Sequence, residues 1–163
     1  MIKYKMIVSI ESMKKVNNVN IIVLADDDAD DRLLMAEAFE ENKIPCILKF
    51  VEDGVDLLDY LTKKGKYGSD ADEIPDLILL DINMPRKDGK EALKEIKENP
   101  LLKHIPVVIF STSKSPEDVT ITYKLGANSF IVKPSSFEGL LEVTKTIQKY
   151  WIDTVSIKSV ISY

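Results

Sequence analysis

Short apolar runs recur along the chain, and most of them stop on a polar side chain. Leu77–Leu80 is apolar throughout and too short for a helix, and a strand apolar on both faces belongs inside a covered parallel sheet. It ends on Asp81. Residues 21–25 (IIVLA) empty into Asp26-Asp27-Asp28, residues 107–110 into Ser111-Thr112-Ser113, and residues 130–132 into Lys133-Pro134; residues 47–51 make a further strand. Between these runs the period changes to that of a helix. A helix opens at Asp30 or Asp31 and runs to about Asn42, with Leu33, Leu34, Ala38 and Phe39 facing inward. Residues 55–62 follow, packed through Leu57, Leu58 and Leu61, and then residues 90–99, packed through Ala92, Leu93 and Ile96 and stopped by Pro100. Ser115-Pro116-Glu117-Asp118 opens a helix that Gly126 closes, and residues 137–151 form the last one.

Five strands alternating with five helices give an α/β fold, a flavodoxin-like (βα)5 doubly wound parallel sheet of order 2-1-3-4-5. The segment KKGKYGSDADEIP (residues 63–75) is too long for an ordinary connection and reads as mobile or family-specific. Residues 6–10 can make a short strand, and Val155 and Ile157 alternate with polar neighbours as a half-buried strand would. The expected organisation is an amino-terminal extension, 1–18, one domain, 19–151, and a carboxy-terminal extension, 152–163. The two tails are expected to pair with each other or with those of a second copy in a homodimer.

With 163 residues, 45% of them hydrophobic and 30% charged, the chain fills one α/β domain and no second. A net charge of −5 and a pI near 5.0 argue against nucleic-acid binding, which needs a basic face. Cys46 stands alone and makes no internal disulfide, reading as a small core residue, and no apolar run reaches the ~20 residues of a spanning helix. The expectation is a cytoplasmic protein with no membrane partner.

In the expected strand order the carboxyl ends of strands one, three, four and five converge on one crevice, which gathers Asp26, Asp27, Asp81, Ser111 and Lys133. Clustered carboxylates repel, and a hard divalent cation such as Mg²⁺ relieves them. Ser111 and Lys133 are donors suited to an anion, and a phosphoryl group on Asp81 is the natural one. Competing readings are weaker. Asp26, Asp28, Asp30 and Glu37 have the spacing of a calcium loop, but Asp31 stands where that loop needs Gly and a strand precedes it. A phosphatase of the haloacid-dehalogenase type would need Thr where Asp30 stands. Acids that merely cap helices are the plain structural alternative, His104 reads as a surface residue, and Phe130 reads equally as core.

As an ordered set, the apolar strand ending in DD, the LLDINMPRKDG stretch, the apolar strand ending in Ser and the late GA and KP pairs resemble the receiver domain of two-component response regulators. The resemblance runs from about Asn20 to Trp151. It implies that Asp81 is the phosphoacceptor, Asp27 a direct Mg²⁺ ligand, Asp26 an outer one, and Asn83 a ligand through its backbone carbonyl. It also implies that Ser111 and Lys133 bind phosphoryl oxygens and that Phe130 is an aromatic switch following Ser111. The implied partners are a histidine kinase or phosphotransfer protein and a downstream protein target. The protein would be no enzyme beyond its own phosphorylation and dephosphorylation. Two departures stand out: the longer segment before strand three, and no DNA-binding domain after Trp151. Both features resemble single-domain regulators of phytochrome-like or hybrid sensor kinases. A module that binds through the same face without phosphoryl chemistry is the alternative from another class.

Overall fold

The computed structural model describes residues 19–68 and 74–154. Five parallel strands, β1 (Asn20–Ala25), β2 (Cys46–Val51), β3 (Leu77–Leu80), β4 (Val107–Ser111) and β5 (Ser129–Val132), lie in the order β2-β1-β3-β4-β5. Helices α1 (Ala29–Glu41), α2 (Gly54–Thr62), α3 (Gly89–Glu98), α4 (Pro116–Lys124) and α5 (Phe137–Ile147) alternate with them, and α5 runs on into a wider turn, Gln148–Ile152. The expected fold and order are therefore borne out, with boundaries moved by a few residues at most apart from the last helix. The expected strand at 6–10, the alternation at Val155 and Ile157, and the pairing of the tails lie outside the described residues.

Because successive strand residues point to opposite faces, the central strands feed two cores. Val23, Ala25, Ile78, Leu80, Val107 and Ile109 pack against α2 and α3 through Leu57, Leu61, Ala92, Leu93 and Ile96. Ile22, Leu24, Leu77, Leu79, Val108 and Phe110 pack against α1 and α5 through Met35, Phe39, Leu140, Ile147 and Trp151. This double cover is why β3 and β4 carry no alternation.

One expectation is corrected. Leu33 and Leu34, expected to face inward, are 53% and 38% exposed, and the buried stripe of α1 is Arg32, Met35, Ala36, Ala38 and Phe39. The stripe keeps helical spacing but admits an arginine, because Arg32 reaches the Asp26 carbonyl through Nη1 (2.6 Å) and Glu52 through Nη2 (3.5 Å). The start of the long segment before β3 is built into the fold. Lys63 caps α2 in the left-handed conformation, a short turn covers Gly65–Tyr67, and Tyr67 is buried. Its hydroxyl donates to Asp56 Oδ1 (3.0 Å), Lys66 Nζ lies 2.9 Å from the same atom, and its ring meets Tyr60 edge-on at 5.3 Å. Burial alone would raise the Asp56 pKa, yet Lys66, the Glu52 amide and the Tyr67 hydroxyl together hold it below its ordinary value.

Candidate functional site

The parallel ladder itself builds the site. The Asp26 N–H donates to Val51 O (3.0 Å) and the Asp81 N–H to Ala25 O (3.0 Å), which carries the pairing of β1 with β2 and β3 one residue beyond the strands. Lys133 N–H donates to Ser111 O (2.8 Å), doing the same for β5 and β4. The residues after each strand thus stand side by side at the carboxyl edge, where open α/β sheets take ligands.

Asp26, Asp27 and Asp81 each present a carboxylate oxygen within 4.8 Å of the others. Asp26 and Asp81 are buried and Asp27 is exposed. Lys133 Nζ is also buried and reaches Asp26 Oδ2 at 2.6 Å, Asp81 Oδ2 at 2.9 Å and Asp31 Oδ2 at 2.9 Å. Burial pulls the lysine's pKa down, but these three bonds hold it above its usual value, so the ammonium is fully charged. Asp26 is also raised, which for a carboxyl favours the neutral form: burial raises it, and Lys133 and the Asp28 amide only partly oppose this. One ammonium does not neutralise three clustered carboxylates, and the cleft has room in its charge balance for a cation with oxygen ligands.

The loop after β3 is held rigidly. Gly89, the first residue of α3, sits so close to the end of β3 that an added Cβ would lie 2.0 Å from Asp81 O. Asp88 and Glu91 close a capping box there. Arg86 adopts φ 60° and its guanidinium grips buried Asp53, with Nε at 2.6 Å and Nη2 at 2.5 Å from Oδ2. Asp53 in turn caps α2 by accepting from the Val55 and Asp56 amides. Asn83 follows Asp81 by two residues, and its N–H points at Asp81 Oδ1 (3.4 Å).

On the other side of the cleft Ser111 is fully buried and its Oγ accepts from the Ser113 N–H (3.3 Å). The Ser113 hydroxyl donates to Asp118 Oδ2 (2.5 Å), whose other oxygen meets Lys90 Nζ (2.7 Å). Phe130 is half-buried against the α2–α3 core and pairs in register with Ile109. The structure therefore brings Asp26, Asp27, Asp81 and Lys133 together as the strand pattern expects, and stands Ser111 and Phe130 on the adjoining strands. Asp31 and the Lys90–Asp118–Ser113 chain were not found from sequence. Asp31 looks like an ordinary acid in a helix's first turn, and its partner is 102 residues away.

The sequence pattern of the response regulator receiver domain matches residues 22–145. The response regulator Rcp1 of Synechocystis sp. is 36% identical over 141 residues, covering 86% of this chain and 95% of that protein. Among solved structures, the phosphorylated cyanobacterial phytochrome response regulator RcpA is 39% identical with a TM-score of 0.79, over 85% of this chain and 98% of that one. The Mn²⁺-bound form of Rcp1 is 36% identical with a TM-score of 0.76, over 84% and 97%.

Proposed function

Since the chain belongs to the response regulator receiver family, whose role is to accept a phosphoryl group in two-component signalling, we propose that Asp81 is the residue that accepts it. The observation that carries this is the single ammonium of Lys133 shared among Asp81, Asp26 and Asp31 at the mouth of the sheet. A buried carboxylate beside a fixed cation is a nucleophile whose incoming phosphoryl charge is already answered.

In the forward step an Asp81 oxygen attacks the phosphorus of a phosphohistidine on a histidine kinase or phosphotransfer protein. The new P–O bond forms as the P–N bond breaks, and the imidazole nitrogen leaves with the electron pair and takes a proton. Lys133 donates to the phosphoryl oxygens that gain charge, and Ser111 turns its free O–H toward them. Hydrolysis reverses the state: water attacks phosphorus, the acyl P–O bond breaks, and phosphate leaves a free Asp81 carboxylate.

The donor set fits a divalent cation, because Asp26, Asp27 and Asp81 supply only oxygens and Lys133 leaves their charge uncompensated. Asp27 and Asp81 would hold it directly, with the Asn83 carbonyl, and Asp26 from outside. Mg²⁺ is the metal we assign, since it favours carboxylates, waters and a phosphoryl oxygen. When bound it would neutralise charge on the transferring group.

Ser111, once drawn to the phosphoryl group, leaves space that Phe130 fills, and this resets the face made by α4, β5 and α5. Tyr123, Val132 and Tyr150 are exposed on these elements and the turn after α5. A downstream protein or a second copy of the chain reads that face. On this reading residues 19–151 are the receiver and 1–18 and 152–163 are extensions. Among the described residues no helix is long and apolar enough to cross a membrane, in keeping with the cytoplasmic location we assign.

Incubation with radiolabelled acetyl phosphate tests the proposal. Label is expected to enter the wild type only when Mg²⁺ is present, and to be lost with chelator and in Asp27→Ala. Incorporation that ignores the metal would remove the assigned metal site, and no incorporation under any condition would remove the acceptor role.

A further inference from the structure

Lys133 has three N–H groups, and each meets a different carboxylate: Asp26 on β1's edge, Asp81 on β3's edge, and Asp31 in the first turn of α1. The first two are not free to keep that bond through a phosphoryl cycle. Both belong to the oxygen cluster suited to a cation, and Asp81 exchanges its carboxylate for an acyl phosphate. Asp31 is outside that cluster. Its side chain is 39% exposed, whereas those of Asp26 and Asp81 are 1% and 10% exposed.

Accepting the phosphoacceptor role of Asp81, we propose that Asp31 is a positioning residue for that reaction. It retains the Lys133 ammonium beside the acceptor when Asp26 and Asp81 are otherwise engaged, leaving two N–H groups to turn toward phosphoryl oxygens. The lysine stem alone has several rotatable bonds, and an ammonium released by two of its three partners would sample other directions. Pro134 follows immediately, Lys133 leaves the ladder after its N–H bonds Ser111 O, and apart from the carboxylates the ammonium has the Phe110 ring at 5.8 Å. The attachment point of Asp31 is firm. Its backbone N–H is capped by Asp28 Oδ1 (3.3 Å), a bond that does not involve the Asp31 side chain.

Asp31→Ala is therefore expected to fold normally, alanine being the best helix former. The experiment compares wild type, Asp31→Ala and Asp81→Asn in two readouts. The first is the phosphorylation rate from acetyl phosphate at saturating Mg²⁺, with Mg²⁺ affinity measured separately by calorimetry. The second is the ¹H–¹⁵N signal of the Lys133 ammonium in Mg²⁺-loaded protein, where Asp26 and Asp81 are engaged by the cation and an ammonium still held by Asp31 exchanges its protons slowly. The inference expects Asp31→Ala to lose roughly three- to tenfold in rate, the scale of one charged hydrogen bond at a partly solvated site. It also expects an Mg²⁺ affinity within about twofold of wild type on the same grounds, and a Lys133 signal broadened by exchange. A smaller loss or a gain in rate, a loss that follows weakened metal binding, or a Lys133 signal like that of wild type each overturns it. Failure of the underlying reading looks different, since then the wild type itself would take no phosphoryl group or Asp81→Asn would take as much.

Discussion

Gly89 packs the start of α3 directly against the backbone of Asp81, the residue proposed as acceptor, and Gly89→Ala makes this measurable. An alanine Cβ would stand 2.0 Å from Asp81 O, 2.8 Å from Ile82 Cα and 2.9 Å from Asp81 C. Every one of these is a backbone atom, so no side chain can swing aside. Either α3 or the end of β3 must move by more than an ångström, while Ala92, Leu93 and Ile96 hold α3 to the core. Overpacking of this kind costs about 2–3 kcal/mol, a large share of the ~5–15 kcal/mol by which domains are stable. For a domain of this length that corresponds to a fall in Tm of roughly 6–9 °C. Urea unfolding followed by fluorescence of Trp151, the single tryptophan, reads the loss as a lower midpoint at unchanged slope. Gly54→Ala is the control. There the Cβ meets a single backbone atom, Lys87 O, at 2.6 Å, and its other two contacts are side-chain carbons of Lys87 at 2.9 and 3.0 Å, so the overlap is milder and a smaller loss is expected. Phosphorylation should fall in Gly89→Ala and stay near wild type in Gly54→Ala. A Gly89→Ala loss below about 0.5 kcal/mol, within the range of ordinary surface changes, or a larger loss in Gly54→Ala would refute the close-approach argument.

Three further outcomes follow from the buried polar groups. Asp26 titrates above its ordinary value in the folded chain because burial disfavours its charge, so its ionised form costs stability once the pH exceeds that value and costs nothing below about 3.8. Asp26→Asn should then be more stable than wild type in metal-free buffer at neutral pH, with the gap closing as the pH falls toward 4; a gap independent of pH contradicts this. Tyr67→Phe should lose about 1 kcal/mol, the value of one buried hydrogen bond to Asp56, and a thermal melt like that of wild type would show the start of the long segment to be unimportant. Cys46 is buried and its thiol is pushed up to about 12, so a thiol reagent at pH 8 should react only after denaturation, and prompt reaction in native buffer would contradict its burial.

The strand edges were legible in the sequence because their cause is local. A short apolar run that stops on Asp, Ser or Lys marks the end of a covered strand, and parallel pairing then aligns the ends with no further information. Asp26, Asp27, Asp81 and Lys133 were found in this way. What escaped depends on partners far along the chain. Arg32 displaced Leu33 from the expected inward stripe because the Asp26 carbonyl and Glu52 receive its guanidinium. Tyr67 and Lys66 anchor a segment that reads as loose, through an Asp56 whose role local spacing does not reveal. Asp31 resembles any helix-opening acid until β5 delivers Lys133 to it.

The acceptor assignment is tested most directly by locating the phosphoryl group. Wild-type protein treated with acetyl phosphate and Mg²⁺, reduced with borohydride to convert an acyl phosphate into a stable alcohol, and mapped by tandem mass spectrometry should carry a single modification at position 81. Asp81→Asn should carry none. Reduction product at another carboxylate, or an unmodified Asp81 in protein that has taken up phosphate, would contradict the account.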